Sequence, residues 1–331
     1  PILAPSISHK IFSNNKKYNY DIKLKAHSIY NDESYDIKRW SGLGEINKKY
    51  SLNDWILEAD LNLGLDLYSI QGRPSTDNNN NRYIDRISSG FSVTASKQYE
   101  VLNDNIGMIF EPKIQFSSVF SSNRTDEVPN RDSSEFRLDQ ANLFLNNQYQ
   151  GRDNIQGNDR VNAGFTSLIM TENYGDINFF LGQSQKISGT QNNINSISQD
   201  RQSHIVNSMD WNPSTYFNFS WFSLYNHHNF KSDTSNFNFN GSINDWSYSA
   251  NHKSVDGSFV SNNTDREELT LGISKKFSTW KTAYGRSYDL NNNNEEYNLG
   301  VGENYVGRRR ANYAKQCEKH SKIRYELPKT L

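Results

Sequence analysis

Apolar and polar residues alternate along most of the chain, which is the pattern of β-strands with one apolar and one polar face. The clearest run covers thirteen residues, 55–67, and its apolar positions are Trp55, Leu57, Ala59, Leu61, Leu63, Leu65 and Leu67. Strands of soluble domains usually have about 5–6 residues, whereas a tilted strand that crosses a membrane needs about 9–11. The pattern therefore predicts a membrane-crossing strand whose leucines contact lipid and whose acidic residues, Glu58, Asp60 and Asp66, face water.

Weaker copies of this alternation recur along the chain, and no comparable stretch has a helical period. They predict about fourteen strands, near 18–31, 36–50, 55–69, 85–99, 104–120, 159–171, 174–187, 203–211, 215–230, 234–244, 245–256, 266–277, 280–290 and 295–303.

The connections between these strands alternate in length. Short turns are predicted at 51–54, 100–103, 172–175, 212–214, 244–245 and 278–279, and longer loops at 71–84, 121–158, 188–202, 231–235, 256–265 and 291–294. This asymmetry is typical of up-and-down membrane barrels, whose periplasmic turns are short and whose outer loops are long. Aromatic residues next to the short turns predict an interfacial girdle: Tyr50, Trp55, Tyr99, Tyr174, Trp211, Tyr216, Trp246, Phe277 and Trp280.

Composition narrows the class of protein further. The 331 residues are 34% hydrophobic with a mean hydropathy of −0.86, and the sequence has no apolar run that would suit a membrane-spanning helix. A net charge of −1 argues against a nucleic-acid binder that relies on neutralising phosphates. The single Cys317 excludes both a self-contained disulfide framework and a cysteine-based zinc site.

The sequence has no recognisable catalytic motif. It contains no Gly-x-Ser-x-Gly elbow and no His-Glu-x-x-His, and its adjacent histidines, His227 and His228, lie in a predicted strand where neighbours point to opposite faces. We therefore expect no enzymatic activity, no cofactor and no metal. A barrel lipase would need a Ser/His pair near the rim, which the sequence does not suggest.

The loop at 121–158 differs from the other connections because it carries apolar residues of its own, namely Phe136, Leu138, Leu143 and Phe144. Such residues have to be buried, and folding back into the mouth of a barrel would bury them. Gly151 and Gly157 are expected to permit the tight reversals that such a path needs.

Several blocks of this region resemble the LPS-assembly outer-membrane protein family, LptD. They are Phe110-Glu-Pro-Lys-Ile-Gln115, Val128-Pro-Asn-Arg-Asp-Ser133, Asp139-x-x-Asn-Leu-Phe144, Gly151-x-Asp153 and Arg160-Val-Asn-Ala-Gly164, with Arg39-Trp-Ser-Gly-Leu-Gly44 and Leu181-Gly-Gln183 elsewhere. The likeness covers roughly residues 1–302 and implies the C-terminal part of an all-β, antiparallel, up-and-down transmembrane β-barrel in the outer membrane of a Gram-negative bacterium.

What the resemblance implies about function is transport. A member would deliver LPS from the periplasm to the outer leaflet, with lateral exit between the first and last strands. Its expected partners are LPS, a plug lipoprotein inside the lumen, periplasmic LPS bridge proteins reached through a domain outside this chain, and membrane lipid. The candidate motif and loop residues are Glu111, Pro112, Pro129, Asp132, Ser133, Phe136, Asp139, Asn142, Leu143, Phe144, Gly151, Asp153, Gly157 and Arg160. A general outer-membrane porin is the alternative, since it would share the strands and the girdle but not the block at 110–164.

The sequence departs from the family pattern in two places. The usual Gly-x-Asp-Arg-Ile/Val-Glu reads Gly151-Arg-Asp-Asn-Ile-Gln156, which replaces an ionic pair with two neutral amides. The closing strands are also replaced by a basic segment, so we expect a barrel portion at 1–303 and a separate tail at 304–331 that is frame-shifted, disordered or an interaction tail. The chain by itself is then expected to form a curved sheet with two open edges.

Overall fold

A computed structural model of the chain describes residues 2–3, 7–14, 19–30, 36–71, 81–103, 105–122, 128, 138–148, 151, 153–155, 157–189, 201–257, 264–278, 280–292 and 294–303. All regular elements within these residues are β-strands. A helix with the length and apolarity required to cross a membrane is not found among them.

The described residues form seventeen strands that follow one another along the chain. Their bounds are β1 Ile2–Leu3, β2 Ile7–Asn14, β3 Asn19–Tyr30, β4 Asp36–Leu52, β5 Trp55–Gln71, β6 Asn81–Lys97, β7 Tyr99–Leu102, β8 Ile106–Ser121, β9 Asn158–Thr171, β10 Gly175–Gly189, β11 Ile205–Ser214, β12 Phe217–Tyr225, β13 Ser232–Ile243, β14 Trp246–Val255, β15 Arg266–Lys276, β16 Trp280–Asp289 and β17 Asn294–Glu303.

The chain divides into two compact units. In the first (1–99, 110–166 and 181–205), β2 to β6 pair in sequence order, each antiparallel to the next, and β6 pairs directly with β8. In the second (100–109, 167–180 and 206–331), β12 to β17 pair in the same manner. The predicted fold class, an all-β antiparallel up-and-down sheet, is confirmed.

The short turns follow from local chemistry. Asn53 and Asp54, which join β4 to β5, have φ values of 48° and 68°, and Asn244 between β13 and β14 has a φ of 53°. A two-residue hairpin turn needs this left-handed conformation, and Asn and Asp adopt it more readily than other residues with a side chain.

Fourteen of the strands match the predicted ones, with differences at the ends, and β1, β2 and β7 were not predicted. The predicted strand at 215–230 is wrong in its last five residues, because β12 ends at Tyr225. Beyond it, the amide oxygen of Asn226 accepts from the backbone N–H of His228 at 2.9 Å, and that of Asn229 accepts from the backbone N–H of Lys231 at 2.8 Å. These side chains bind the backbone locally and favour a turn over a ladder.

The strands expose their apolar face and bury their polar face, which is the reverse of the arrangement in a soluble protein. On β5, Leu61, Leu63, Leu65 and Leu67 are exposed, whereas Asp66 is fully buried on the other face. The same inversion holds for β6, where Phe91 and Val93 are exposed and Ser92 is buried. An apolar face turned outward and a polar face turned inward is the arrangement of a membrane-embedded strand.

Candidate functional site

The most tightly held part of the first unit is a buried group of five residues on the polar face, which we call the ionic cluster: Arg39, Asp66, Tyr68, Arg86 and Asp153. Arg39 Nη1 donates to Asp153 Oδ1 at 2.7 Å, and Arg86 Nη2 donates to Asp66 Oδ2 at 2.7 Å. Arg86 Nη1 also donates to the backbone carbonyl oxygen of Asp153 at 2.6 Å. Two cations and two carboxylates are therefore paired out of water, with the Tyr68 hydroxyl between them.

Strand register explains why four of these side chains meet. Arg39 on β4 lies directly opposite Tyr68 on β5, and Asp66 on β5 lies directly opposite Arg86 on β6. Side chains at alternate positions share a face, so Asp66 and Tyr68 project together. Tyr68 Oη donates to Asp153 Oδ1 at 3.2 Å and accepts from Arg86 Nη2 at 2.9 Å, which links the two ion pairs.

Asp153 is the one member that comes from the long connection between β8 and β9. Gly151, two residues earlier, has a φ of 94°, a conformation that is strained for a residue with a side chain, so the glycine permits the turn that delivers Asp153. An unpaired carboxylate could not be buried at this depth without a large free-energy cost. The two arginines therefore fix where this segment of the connection lies.

A small apolar cluster lies beside the ionic cluster, near the long-loop ends of the same strands. Ile37, Ile70 and Ile84, from β4, β5 and β6, pack with Tyr68 and with Val128, which belongs to the long connection. The connection thus contributes one ionic and one apolar contact to the same end of the polar face.

Residues 138–148, which we call the inner segment, lie against the polar face of β6, β8 and β9. The segment begins with reciprocal caps: the Asn142 amide oxygen accepts from the backbone N–H of Asp139 at 2.7 Å, and Asp139 Oδ1 accepts from the backbone N–H of Asn142 at 2.9 Å. The turn that they close presents Leu143, which is fully buried. Burying a leucine in this way stabilises the segment by about 1.5–3 kcal/mol.

Hydrogen bonds from the strands hold the inner segment in place. Gln115 Nε2 on β8 donates to the carbonyl oxygen of Phe144 at 2.8 Å, and Gln115 Oε1 accepts from Asn162 Nδ2 on β9 at 2.8 Å. Ser117 Oγ donates to Asn146 Oδ1 at 2.9 Å. Gln115, Ser117 and Asn162 therefore each keep a hydrogen-bond partner after the segment has covered them.

Arg160 on β9 makes the strongest of these contacts. Its guanidinium is almost fully buried, and Nη2 donates to the carbonyl oxygens of Leu145 and Asn146, the latter at 2.5 Å. Nη1 donates to Asn158 Oδ1 at 3.2 Å. Charge-assisted bonds to backbone carbonyls fix the path of the main chain regardless of its side chains.

The inner segment reaches well beyond the rim of the sheet. Gln115, which contacts Phe144, lies opposite Thr94, only three residues before β6 ends at Lys97. Since β6 starts at Asn81 beside the long loops, Phe144 lies roughly 40 Å along the strand from that end, close to the short turns. Gly164 allows a close approach at this depth, because a Cβ there would lie 3.5 Å from Phe144 Cζ and 2.7 Å from the carbonyl oxygen of Leu181.

The structure places six of the fourteen sequence-predicted site residues in these two arrangements. Asp139, Asn142, Leu143, Phe144 and Arg160 form the inner segment and its anchor, and Asp153 belongs to the ionic cluster. Glu111 and Pro112 lie apart on β8, where Glu111 Oε1 is 3.7 Å from Lys113 Nζ. Pro129, Asp132, Ser133 and Phe136 lie outside the described residues.

Two predictions about this region are wrong. Asp66 does not face water, because it is fully buried and paired with Arg86. Gly157 is not needed for a reversal, since it is not among the glycines with positive φ and a Cβ there would make only an ordinary contact, at 3.7 Å from the backbone nitrogen of Ser121. The replaced family pair at Asn154 and Gln156 stays untested, because Gln156 lies outside the described residues.

Sequence reasoning missed Tyr68, Arg86, Gln115 and Asn162. A signal for Arg86 was present, since Asp66 on β5 lies between two leucines and needs a cationic partner if it is buried. It could not be used because the nine-residue stretch 72–80 leaves the register of β5 and β6 open in the sequence. Within the described residues no group of three or more His, Cys, Asp or Glu is placed to hold a metal ion.

Comparison with known proteins gives one family. The model of the family described as LptD, LPS transport system D, matches residues 3–278, well over half of the chain. No curated protein matches significantly.

Solved structures give weaker likenesses. One is titled "Copper transporter OprC" (TM-score 0.37, 8% identity, 90% of this chain and 56% of that chain), and another "Structure of the FpvAI-pyocin S2 complex" (TM-score 0.31, 10% identity, 91% and 56%). The chain therefore spans little more than half the length of the solved chains that it matches.

Proposed function

Since the chain belongs to the LPS transport system D family, LptD, we propose that it forms part of the wall of the outer-membrane lipopolysaccharide translocon. Its place is the outer membrane of a Gram-negative bacterium, and its family acts in LPS transport. The proposed role is to deliver LPS from the periplasm to the outer leaflet, with no chemical step on the lipid.

The observation that carries this proposal is the inner segment and its anchors. Blocks of sequence that resemble the family, at 39–44, 139–144, 151–153 and 160–164, supply Arg39, Leu143, Asp153 and Arg160 to one continuous arrangement on the polar face. A general porin would share the polar face but not the family block at 110–164, which supplies Leu143, Asp153 and Arg160 to this arrangement.

In the proposed mechanism the saccharide part of LPS passes along the polar face and the acyl chains leave sideways between strands. Two neighbouring strands that share few backbone hydrogen bonds separate at a low free-energy cost. The acyl chains can then leave between them without crossing the water-filled lumen. We propose that the inner segment shapes the path on the polar face, and that it meets the plug lipoprotein there.

The same proposal includes the domain division and the remaining partners. Residues 1–303 would be the barrel portion and 304–331 a separate basic tail, which lies outside the described residues. Periplasmic LPS bridge proteins would be reached through a domain outside this chain.

The test is replacement of the chromosomal copy by variants of the intact protein. We expect the wild-type protein to copurify with a lipoprotein and to sustain the arrival of newly made LPS at the cell surface. That arrival is measured by pulse labelling of LPS, followed by treatment of whole cells with an enzyme that modifies only the LPS exposed at the surface. Asp153→Ala should slow that arrival, whereas Asp54→Asn, which removes an exposed carboxylate and keeps a residue suited to the turn, should not.

A porin would give the opposite set of results. It would bring down no lipoprotein, would leave LPS arrival unchanged when depleted, and would admit small sugars into vesicles at rates unaffected by Asp153→Ala. That outcome would overturn the transport proposal and return the chain to the alternative class.

A further inference from the structure

The same short motif occurs near the ends of three strands, where a lysine is followed two residues later by an aromatic residue. We call it the Lys-x-aromatic step. The steps are Lys48-Lys-Tyr50 on β4, Lys97-Gln-Tyr99 from β6 into β7, and Lys275-Lys-Phe277 at the end of β15. Each of these strands leads toward a short turn, at 53–54, 103–105 and 277–279 respectively.

In every case the ammonium group lies over the aromatic ring. Lys48 Nζ is 4.5 Å from the centroid of Tyr50, Lys97 Nζ is 5.2 Å from that of Tyr99, and Lys275 Nζ is 5.1 Å from that of Phe277. Lys275 Nζ is also 4.8 Å from the ring centroid of Trp246. The side chains therefore bend toward the turn, which is the direction in which a lysine reaches the membrane surface.

Register places all three lysines on the apolar face. Lys48 lies opposite Ala59, and Lys97 lies opposite Trp55, within the run of alternating apolar residues on β5. In the second unit, Lys275 lies opposite Trp246 on β14. The ring partners are exposed on that face, so each step sits among aromatics of the kind that mark a membrane interface.

A charged amine on a lipid-facing surface is costly unless an anion compensates it. The aromatic ring supplies a weak attraction but no neutralising charge. Asp54 is 3.8 Å from Lys97, but its side chain is 82% exposed, which makes it a weak partner in water. At the membrane surface that these side chains reach, the phosphates of lipid headgroups supply negative charge.

We propose that these three Lys-x-aromatic steps bind the headgroups of anionic phospholipids at the short-turn side of the membrane. The ammonium group pairs with the headgroup phosphate, and the ring packs against the first acyl carbons. A zwitterionic headgroup carries its own ammonium, which competes for the phosphate, so the sites favour headgroups with net negative charge. The proposal rests on membrane location and not on the transport of LPS.

The test measures which lipid stays bound to the intact protein. The protein is reconstituted in nanodiscs of phosphatidylcholine with a minor fraction of phosphatidylglycerol of the same acyl chains, then released into mild detergent and examined by native mass spectrometry. We expect phosphatidylglycerol to be enriched on the wild-type protein. In the triple variant Lys48→Gln, Lys97→Gln and Lys275→Gln, the affinity for phosphatidylglycerol should fall about fivefold at each of the three sites.

A matched control removes three exposed lysines elsewhere: Lys231→Gln in a long-side loop and Lys253→Gln and Lys276→Gln on the polar face. It changes the net charge by the same amount and should leave the enrichment intact. A triple variant with arginine at 48, 97 and 275 should also keep it, because the charge remains. If the triple glutamine variant does not assemble, each single glutamine variant is compared with the arginine variant at the same position.

Three results would overturn the proposal: no preference of wild type for phosphatidylglycerol, equal loss of enrichment in the test and control triples, or equal loss in the glutamine and arginine variants. A further arm titrates inorganic phosphate alone. If free phosphate binds the three positions and phosphatidylglycerol is not enriched, the sites recognise a soluble anion and not a lipid.

Discussion

The polar faces of the two units are built differently, although both belong to antiparallel strands of the same kind. In the first unit many polar residues are buried: Ser117 and Asn162 are fully covered, and four charges are paired beneath the long connection. In the second unit, Thr234 is buried, but Asn236, Asn238 and Asn251 further along the strands are half-buried and Ser249 and Thr270 are exposed. The same strand pattern can thus present a covered face or an open one.

The difference teaches what covering a polar face requires. The long connection between β8 and β9 brings its own carboxylate, leucine and carbonyl groups, and each meets a partner on the strands. In the second unit the connection between β12 and β13 is a tight turn at 226–231 that binds itself. Neutral amides suit an open face, because they bind each other or water at similar free energy.

The largest expected effect is on the ionic cluster. Asp153→Ala leaves Arg39 and Arg86 buried beside only one carboxylate, and we expect the free energy of unfolding to fall by about 3–5 kcal/mol. Denaturant titration of the protein in detergent micelles measures this change. Asp54→Asn, at an exposed turn of the same unit, removes a carboxylate but keeps a residue that tolerates the left-handed φ of 68°, so it should change the free energy of unfolding by less than about 0.5 kcal/mol.

A double variant sharpens the comparison. Arg39→Met together with Asp153→Leu removes one ion pair as a whole, and replacement of a buried pair by apolar residues is often close to neutral. We expect the double variant to recover most of the stability that Asp153→Ala loses. Equal losses in both variants would show that the cost comes from the shape of the segment and not from an unpaired charge.

The second effect tests how firmly the inner segment packs. Leu143→Ala removes a fully buried side chain, and we expect a loss of about 2–4 kcal/mol in the free energy of unfolding together with faster proteolysis within 138–148. Leu145→Ala, two residues further along and half-exposed, is the matched control and should change little. Similar losses at both positions would mean that the segment lies loosely on the strands.

The sequence predicted the strands well because their signal is local. Alternation at 55–67 and the asymmetry of turns and loops need no knowledge of register, and both the fold class and the exposed leucines follow from them. The apolar residues of the long connection likewise indicated that it must be buried, since Leu143 has no other way to leave water.

The ionic cluster could not be derived in the same way. Its members are separated by up to 114 positions, as in Arg39 and Asp153, and they meet only if three strands and a loop take one particular register. An aspartate between leucines is usually solvated in a barrel strand, and Asp66 departs from that rule only because Arg86 lies opposite to it. The chemistry of a buried charge depends on a partner that the local sequence does not show.

The third effect concerns the opposite face of the first unit. Leu61→Arg places a charge among exposed leucines on β5, and we expect it to cost about 2–4 kcal/mol at mid-bilayer depth. Asn62→Arg, one residue away, projects from the polar face and should be nearly silent. Folding into lipid vesicles followed by urea titration measures both variants, and equal effects would contradict the assignment of the two faces.

The smallest effect is expected on the open face of the second unit, and it tests the comparison most directly. Asn251 Nδ2 donates to Asn236 Oδ1 at 2.9 Å and also contacts the amide oxygen of Asn238. Because these groups are only half-buried, water replaces the lost partner, and Asn251→Ala should cost less than about 1 kcal/mol.

The counterpart in the first unit is Gln115→Ala. This change leaves the Asn162 amide and the Phe144 carbonyl oxygen buried under the inner segment without the hydrogen bonds that Gln115 makes to them. We therefore expect a loss of about 1–3 kcal/mol in the free energy of unfolding. Both variants are compared by urea titration under the same conditions. A loss at Asn251 as large as that at Gln115 would mean that the polar face of the second unit is covered in the membrane, and the contrast between the two units would then disappear.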